Sequence, residues 1–281
     1  MLASIEPGAA HCANESLPAA RQILLIIMML REVDLPSDAM KARGAILSAT
    51  PNLPCATCAS RSANSCGALV GRSGQPMTIR GRHRDIAARQ NIYRAGEISE
   101  GVLMICVGWA VRFVQLPNGK RQILSVLLPG DLVGPTALNE GQLAFSVQAV
   151  TDVRYCYFPF LEVRARLRDN ASLLDLWLRL ATAEQRDADC RLVDLGQRTA
   201  HERIVALIVH VMQRCEQRGE VVEEEFPFPL SQQQIADFSG LTPVHTCRVL
   251  GALRKSGICD VGHGIVKVME RTELQRMAAL K

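Results

Sequence analysis

Cys55, Cys58 and Cys66 stand in the run Pro54-Cys55-Ala56-Thr57-Cys58-Ala59-Ser60-Arg61-Ser62-Ala63-Asn64-Ser65-Cys66, three thiols within twelve residues. The residues between them are small and weakly apolar, too poor to build a packed element. The thiols are therefore read as ligands for a metal centre rather than as core filler. Thiolate centres are usually four-coordinate, and a fourth ligand from a distant part of the chain would tie this leader to a folded domain. Such a tie is a ready-made switch.

A second group of residues suits nucleic acid. Ser231-Gln232-Gln233-Gln234 opens with a capping box, and Ser239-Gly240 ends a short helix with a sharp turn. Thr242 then caps a second helix with Pro243 at its first position, and small Ala236 allows the two helices to cross closely. This is the pattern of a helix-turn-helix. The second helix carries Arg248, Arg254 and Lys255 with no acid between Thr242 and Gly257, so its local field favours phosphate. Val244, His245 and Cys247 on its first turns can approach base edges, and Arg248 is the candidate for a bidentate contact to guanine. Ile258-Cys259-Asp260-Val261 and Ile265-Val266-Lys267-Val268, joined by Gly262-His263-Gly264, make a wing.

Both sites need folded elements to hold them. At 281 residues and 48% hydrophobic content the chain can bury a core without metal or disulfide, and its net charge of +4 neither demands nor excludes nucleic acid. The ten cysteines are irregularly spread, which favours reduced thiols and a cytoplasmic setting over a disulfide framework. The apolar run Ile23 to Leu30 is less than half of the roughly 20 residues needed to cross a bilayer, so no membrane is expected. From about Gln90 to Phe160, short runs rich in Val, Ile and Leu are broken by regularly spaced turns, with Pro117-Asn118-Gly119 as a hairpin signal. This block is expected to be a small antiparallel barrel or roll.

After Pro159 the period lengthens, and a long helix is expected over Ala171 to Asp194. Leu174, Leu178, Ala181, Gln185, Ala188, Leu192 and Leu195 form a narrow seam suited to one partner helix, flanked by Arg179, Glu184, Arg186, Asp187 and Arg191. A further helix is expected over Ala200 to Arg218, followed by an acidic connector, Glu220 to Pro229. The fold class is thus α+β: an antiparallel β-roll, a long dimerisation helix and a C-terminal winged helix-turn-helix. The divisions fall at 1–50 (extension), 51–76 (cysteine leader), 77–165 (roll), 166–198 (dimerisation helix) and 199–281 (DNA-binding domain).

A roll with Gly-Asp-Leu-Val-Gly at 130–134, a long pairing helix, Ala200-His201-Glu202-Arg203 and a winged helix-turn-helix together resemble the Crp/Fnr family of bacterial transcription regulators over roughly Arg89 to Val268. The leader cysteines resemble its oxygen-sensing Fnr branch, although the second gap is longer than in the founding member. That resemblance implies a [4Fe-4S] cluster held by Cys55, Cys58, Cys66 and a roll cysteine. The stretch Val153-Arg154-Tyr155-Cys156-Tyr157-Phe158-Pro159-Phe160 nominates Cys156 for that role. Cys106, within Met104-Ile105-Cys106-Val107, is read instead as a buried strand residue. Where the family's cyclic-nucleotide sensors carry an Arg-Ser pair for the phosphate, this chain has Leu143-Ala144, so no cyclic nucleotide is expected. Of the three base readers typical of Fnr-like proteins (Glu, Ser and Arg), the matching Val244, Cys247 and Arg248 retain only the last.

The resemblance further implies a homodimer on a palindromic double-stranded DNA operator, with contact to RNA polymerase through the Pro117 to Lys120 turn. Structural zinc on the same thiolates, a haem-based sensor and an iron-sulfur electron carrier are the rival readings. His83, His201, His210 and His263 are read as surface or packing residues, and no catalytic constellation is found. In this scheme an intact cluster promotes helix pairing, and Gln185 is the weak point of the seam. Replacing Gln185 with Leu is expected to strengthen dimerisation and give DNA binding in air, measured by sedimentation and gel shift. A variant that stayed monomeric and silent would show that the seam lies elsewhere.

Overall fold

The structure, a computed structural model, describes residues 81–133 and 142–279. The run from Ile23 to Leu30, the leader cysteines Cys55, Cys58 and Cys66, and Gly134 lie outside the described residues. The roll comprises β1 (Arg82–Ile86), β2 (Asn91–Tyr93), β3 (Gly101–Val107), β4 (Ala110–Gln115), β5 (Arg121–Leu127), β6 (Leu132–Val133), β7 (Ser146–Ala149) and β8 (Val153–Pro159). They form two antiparallel sheets, in the orders β1-β8-β3-β6 and β2-β7-β4-β5. The expected hairpin joins β4 to β5, closed by Leu116 N–H on the Lys120 carbonyl at 2.8 Å. Strand β1 begins before the expected start of the strand pattern near Gln90.

Side-chain alternation divides the first sheet cleanly. Leu103 and Ile105 of β3, with Val153 and Tyr155 of β8, fill the interior of the roll. Val102, Met104 and Cys106, with Cys156 and Phe158, point the other way. There they pack beneath two helices, α1 (Phe160–Asp169) and α2 (Ala171–Gln197), through Val163, Leu167, Leu173 and Trp177. Asn170 separates these helices, its side chain accepting from Leu173 N–H at 3.0 Å as the N-cap of α2. The division set at residue 165 therefore falls inside α1.

Helix α3 (Ala200–Glu216) starts at a Thr199/Glu202 capping box and is buried on most of its surface. Its apolar side chains join Trp109, Val111, Phe113, Ile123, Val126 and Leu128 of the roll in one core with the C-terminal elements. Those are β9 (Glu225–Pro227), α4 (Gln232–Ser239), α5 (Pro243–Lys255), β10 (Cys259–Gly262), β11 (Ile265–Val268) and α6 (Arg271–Ala278). The wing has a third strand, because β9 pairs with β11. The acidic connector is thus partly structured: Phe226 and Phe228 are buried, and their apolar contribution outweighs the flanking charge.

One half-buried ion cluster pins α3 to the roll. Asp131 accepts from Arg218 at 2.9 Å and from Arg214, while Leu128 N–H donates to it at 2.7 Å. Arg214 also donates to the Val126 carbonyl at 2.6 Å and Arg218 to the Pro129 carbonyl at 2.9 Å. Removing the single acid strands two guanidinium groups in a poorly solvated place. Asp131→Asn is expected to lower the unfolding free energy by about 2–3 kcal/mol. The exposed pair of Arg179 with Asp175 gives a control, since Asp175→Asn should cost under about 1 kcal/mol. Urea unfolding of both variants checks this.

Candidate metal centre and nucleic-acid interface

Register decides the surroundings of Cys156. It lies opposite His83 on β1 and opposite Met104 on β3, so all three project from the same face of the sheet. The β3–β8 register slips between Ile105 and Val107, leaving Cys106 as the extra residue of a bulge. One donor atom from each of His83, Cys106 and Cys156 falls within 4.8 Å of the others. Cys106 and Cys156 are each only 2% exposed, whereas His83 is half-buried at the sheet edge. The sequence reading treated Cys106 as strand filler and His83 as a surface or packing residue, and the sheet brings both to Cys156. Their separation along the chain and the charged sequence of β1 hid that grouping.

The chain reaches the roll directly over this thiol. A Cβ added to Gly81 would lie 1.9 Å from Cys156 Sγ, so only glycine lets the backbone pass there. Cys66 is fifteen positions before Gly81, a stretch that can span up to about 50 Å and can equally fold back. A thiolate from the leader on so short a tether would face Cys156 at an effective concentration of order millimolar.

Other described thiols are poorer donors. Burial pushes Cys215 up to about 12 and Cys259 up to about 11, which keeps both protonated and inert. Cys190 and Cys247 are exposed on α2 and α5. His83 is pushed below its usual range by burial first and by Arg154 second, with Asp85 opposing. His210 in α3 is lowered to about 4 by burial and by Arg214, so it stays neutral in the core at ordinary pH.

The helix-turn-helix follows the local signals closely. Ser231 accepts from Gln234 N–H at 3.2 Å while the Gln234 side chain accepts from Ser231 N–H at 2.9 Å. Gly240 takes φ 64°, and a Cβ there would press on Leu195 of α2 at 3.1 Å. Thr242 caps α5 by accepting from His245 N–H at 3.2 Å. Thr246, Val249 and Leu253 face the core, which turns Val244, His245, Cys247, Arg248, Arg254 and Lys255 outward. His201, at the start of α3, lines the same shallow groove as Val244, His245 and Arg248. Sequence reasoning missed this placement because His201 precedes Val244 by 43 positions, on a separate helix.

Three charge assignments change. Arg254 donates to Asp260 of β10 at 2.6 Å, so the field of α5 is weaker at its C-terminal end than the acid-free helix sequence suggested. Arg191 leaves the flank of the seam and stacks over the Phe238 ring at 3.2 Å, and burial lowers it to about 10. Glu184 likewise pairs with Arg112 of β4. Along the seam, Gln185, Ala188 and Leu192 are exposed, Leu192 at 71%. Leu178 and Ala181 are half-buried, Leu174 packs on the cluster beneath α1, and Leu195 meets Gly240. Both ends of the seam are thus engaged within the chain.

Comparison with known proteins agrees with this layout. Residues 83–170 match the model of the cyclic nucleotide-binding domain and residues 202–277 that of the Crp-like helix-turn-helix domain. The nitrogen fixation regulation protein FixK of Bradyrhizobium diazoefficiens is 26% identical over 80% of this chain and 94% of its own length. The transcriptional activatory protein AadR of Rhodopseudomonas palustris is 28% identical over 79% and 92%. The fumarate and nitrate reduction regulatory protein of Escherichia coli K12 is 26% identical over 70% and 78%. The solved structure of FixK2 from Bradyrhizobium japonicum superposes with a TM-score of 0.65 at 23% identity, covering 72% of this chain and 98% of that one.

Arg248 has no acidic partner among the described residues and stands on the outward face of α5. Against duplexes selected from a random pool, Arg248→Ala is expected to cost about 1–3 kcal/mol of binding and to relax preference at one base pair. Arg254→Ala should cost less, because its charge is already partly neutralised. Fluorescence anisotropy at fixed salt measures both.

Proposed function

This chain belongs to the Crp/Fnr family as a DNA-binding regulator of transcription, and from that premise we propose that it responds to oxygen through a [4Fe-4S] cluster. Cys55, Cys58, Cys66 and Cys156 would hold the group, which when bound supplies an oxidant-sensitive link among four thiolates. The observation that carries this reading is the position of Gly81, the first described residue, whose backbone lies directly against Cys156 Sγ. The sulfur-only donor set spread over two segments suits an iron-sulfur centre, and the Escherichia coli relative is named for regulation of fumarate and nitrate reduction.

The rest of the switch lies in this chain's own packing. Cys156 shares an apolar layer with Leu173 and Trp177, the first buried residues of α2. A thiolate fixed by the leader holds that layer in one arrangement, and a freed thiol lets it relax. Because packed layers are bistable rather than soft, a small shift at Cys156 becomes a change in the direction of α2. In a homodimer paired along Leu178, Ala181, Gln185, Ala188 and Leu192, that direction sets the strength of pairing. Pairing places two copies of α5 about 34–36 Å apart, one turn of a palindromic operator. A bias of about 1.4 kcal/mol in pairing changes the dimer equilibrium tenfold.

Cyclic nucleotide is not part of this reading. Leu143 and Phe145 are buried in the roll, and Arg112, stacked on Phe145 at 4.8 Å, is committed to Glu184. The Pro117 to Lys120 turn projects from the roll with Leu116 exposed, which leaves it available to RNA polymerase.

The test is operator binding by protein purified without oxygen, before and after exposure to air. Wild type should bind anaerobically and lose at least about tenfold in affinity in air. Cys156→Ser should bind weakly in both conditions, with circular dichroism confirming that it is folded, since a hydroxyl in this apolar layer costs some stability. Anaerobic binding by Cys156→Ser equal to wild type would overturn the proposal.

A further inference from the structure

The roll holds a group of metal donors that needs nothing from the leader. We propose that His83, Cys106 and Cys156 form a zinc site of the roll itself, taking one Zn2+ ion on two thiolates and an imidazole.

Three features of the sheet support it. First, the donors are already gathered: one atom from each lies within 4.8 Å of the others. A tetrahedral zinc ion, with Zn–S near 2.3 Å and Zn–N near 2.0–2.1 Å, keeps its donors about 3.5–3.8 Å apart. Closing on the ion therefore asks for about an ångström of side-chain movement, within the range of small rotamer adjustments. Second, the donors are held by backbone pairing rather than by loops. His83 is fixed opposite Cys156 by the β1–β8 ladder, and Cys106 is delivered by the β3 bulge, a feature that re-aims a side chain. Third, the thiols lie in an apolar layer while the imidazole is only half-buried on the edge strand. Met104 and Phe158 flank the thiols, while His83 at the edge strand gives the ion its way in.

Soft thiolates with imidazole select zinc over hard cations such as magnesium or calcium. Burying two small thiols in an apolar layer needs no metal, since cysteine packs as a small hydrophobe. An imidazole brought to the same point is harder to explain by packing, because it leaves a polar ring nitrogen facing sulfur. With three protein ligands the fourth position is open to water.

The site shares Cys156 with the cluster proposed above, and the two uses exclude each other at that thiol. Zinc in the roll would keep Cys156 away from the leader, making the ion an antagonist of the oxygen switch. Only this antagonism rests on the cluster reading; the zinc site stands without it.

The experiment uses the full chain carrying Cys55→Ser, Cys58→Ser and Cys66→Ser together, prepared reduced and metal-free without oxygen, and titrated with Co2+ as a coloured stand-in. One Co2+ per chain should bind, with thiolate-to-cobalt charge-transfer absorption and tetrahedral visible bands, and Zn2+ should displace it. Adding His83→Gln or Cys106→Ser should weaken binding at least about 100-fold, since even the loss of outer partners costs 10–100-fold. Circular dichroism confirms that each variant is folded. The proposal fails if the triple-serine chain binds no Co2+, or if neither further change weakens it. Iron and sulfide content of wild type reads the cluster separately, so either idea can fail alone.

Discussion

Strand β8 is paired on both sides, with β1 and with β3, and that double pairing is the constraint on which the functional layout depends. A slip by one residue would turn Cys156 into the interior of the roll and Tyr155 out beneath the helices. The register is held by the apolar content of both faces: Val153 and Tyr155 inward, Cys156 and Phe158 outward. Because both faces of β8 are buried, the thiol is placed without help from any ligand. It sits at one junction of Gly81, the roll and the first turns of α2.

From that junction the path to DNA is made of packing and of a few well-placed charges. Trp177 and Leu173 carry the start of α2, and at its far end Leu195 rests against Gly240 in the turn between α4 and α5. Arg191 on Phe238, and Arg121 with Asp237 at 2.8 Å, join the same helix-turn-helix to α2 and to β5. Gln122 adds a bond to the Phe238 carbonyl at 3.0 Å. The turn before α5 is therefore held from two sides, by α2 and by β5. A change in α2 cannot leave α5 where it was unless those contacts give way.

The DNA-binding half was legible where its signals are local. Ser231 with Gln234, Gly240, Thr242 and Pro243 each act within a few residues, so the sequence alone defines the two helices and the turn. The β4–β5 hairpin was readable for the same reason. The candidate metal centre was legible only in part. Cys156 could be nominated from the stretch around it, but its neighbours could not, because His83 and Cys106 reach it through long-range pairing. Strand β1, Arg82-His83-Arg84-Asp85-Ile86, has no apolar alternation to announce it and is a strand only because β8 offers an edge. Strand β9 was hidden in an acidic run for a similar reason, and the Arg254–Asp260 pair needed the wing to fold back on α5.

The central claim is that Cys156 joins three leader thiols around an inorganic core. Its most direct measurement is the iron and acid-labile sulfide content of the full chain purified without oxygen, together with its visible absorption. The account predicts brown protein with about four iron and four sulfide per chain in wild type, and loss of most of both in Cys156→Ser. Colourless, iron-poor wild-type protein, or a Cys156→Ser chain with undiminished iron and sulfide, would contradict it.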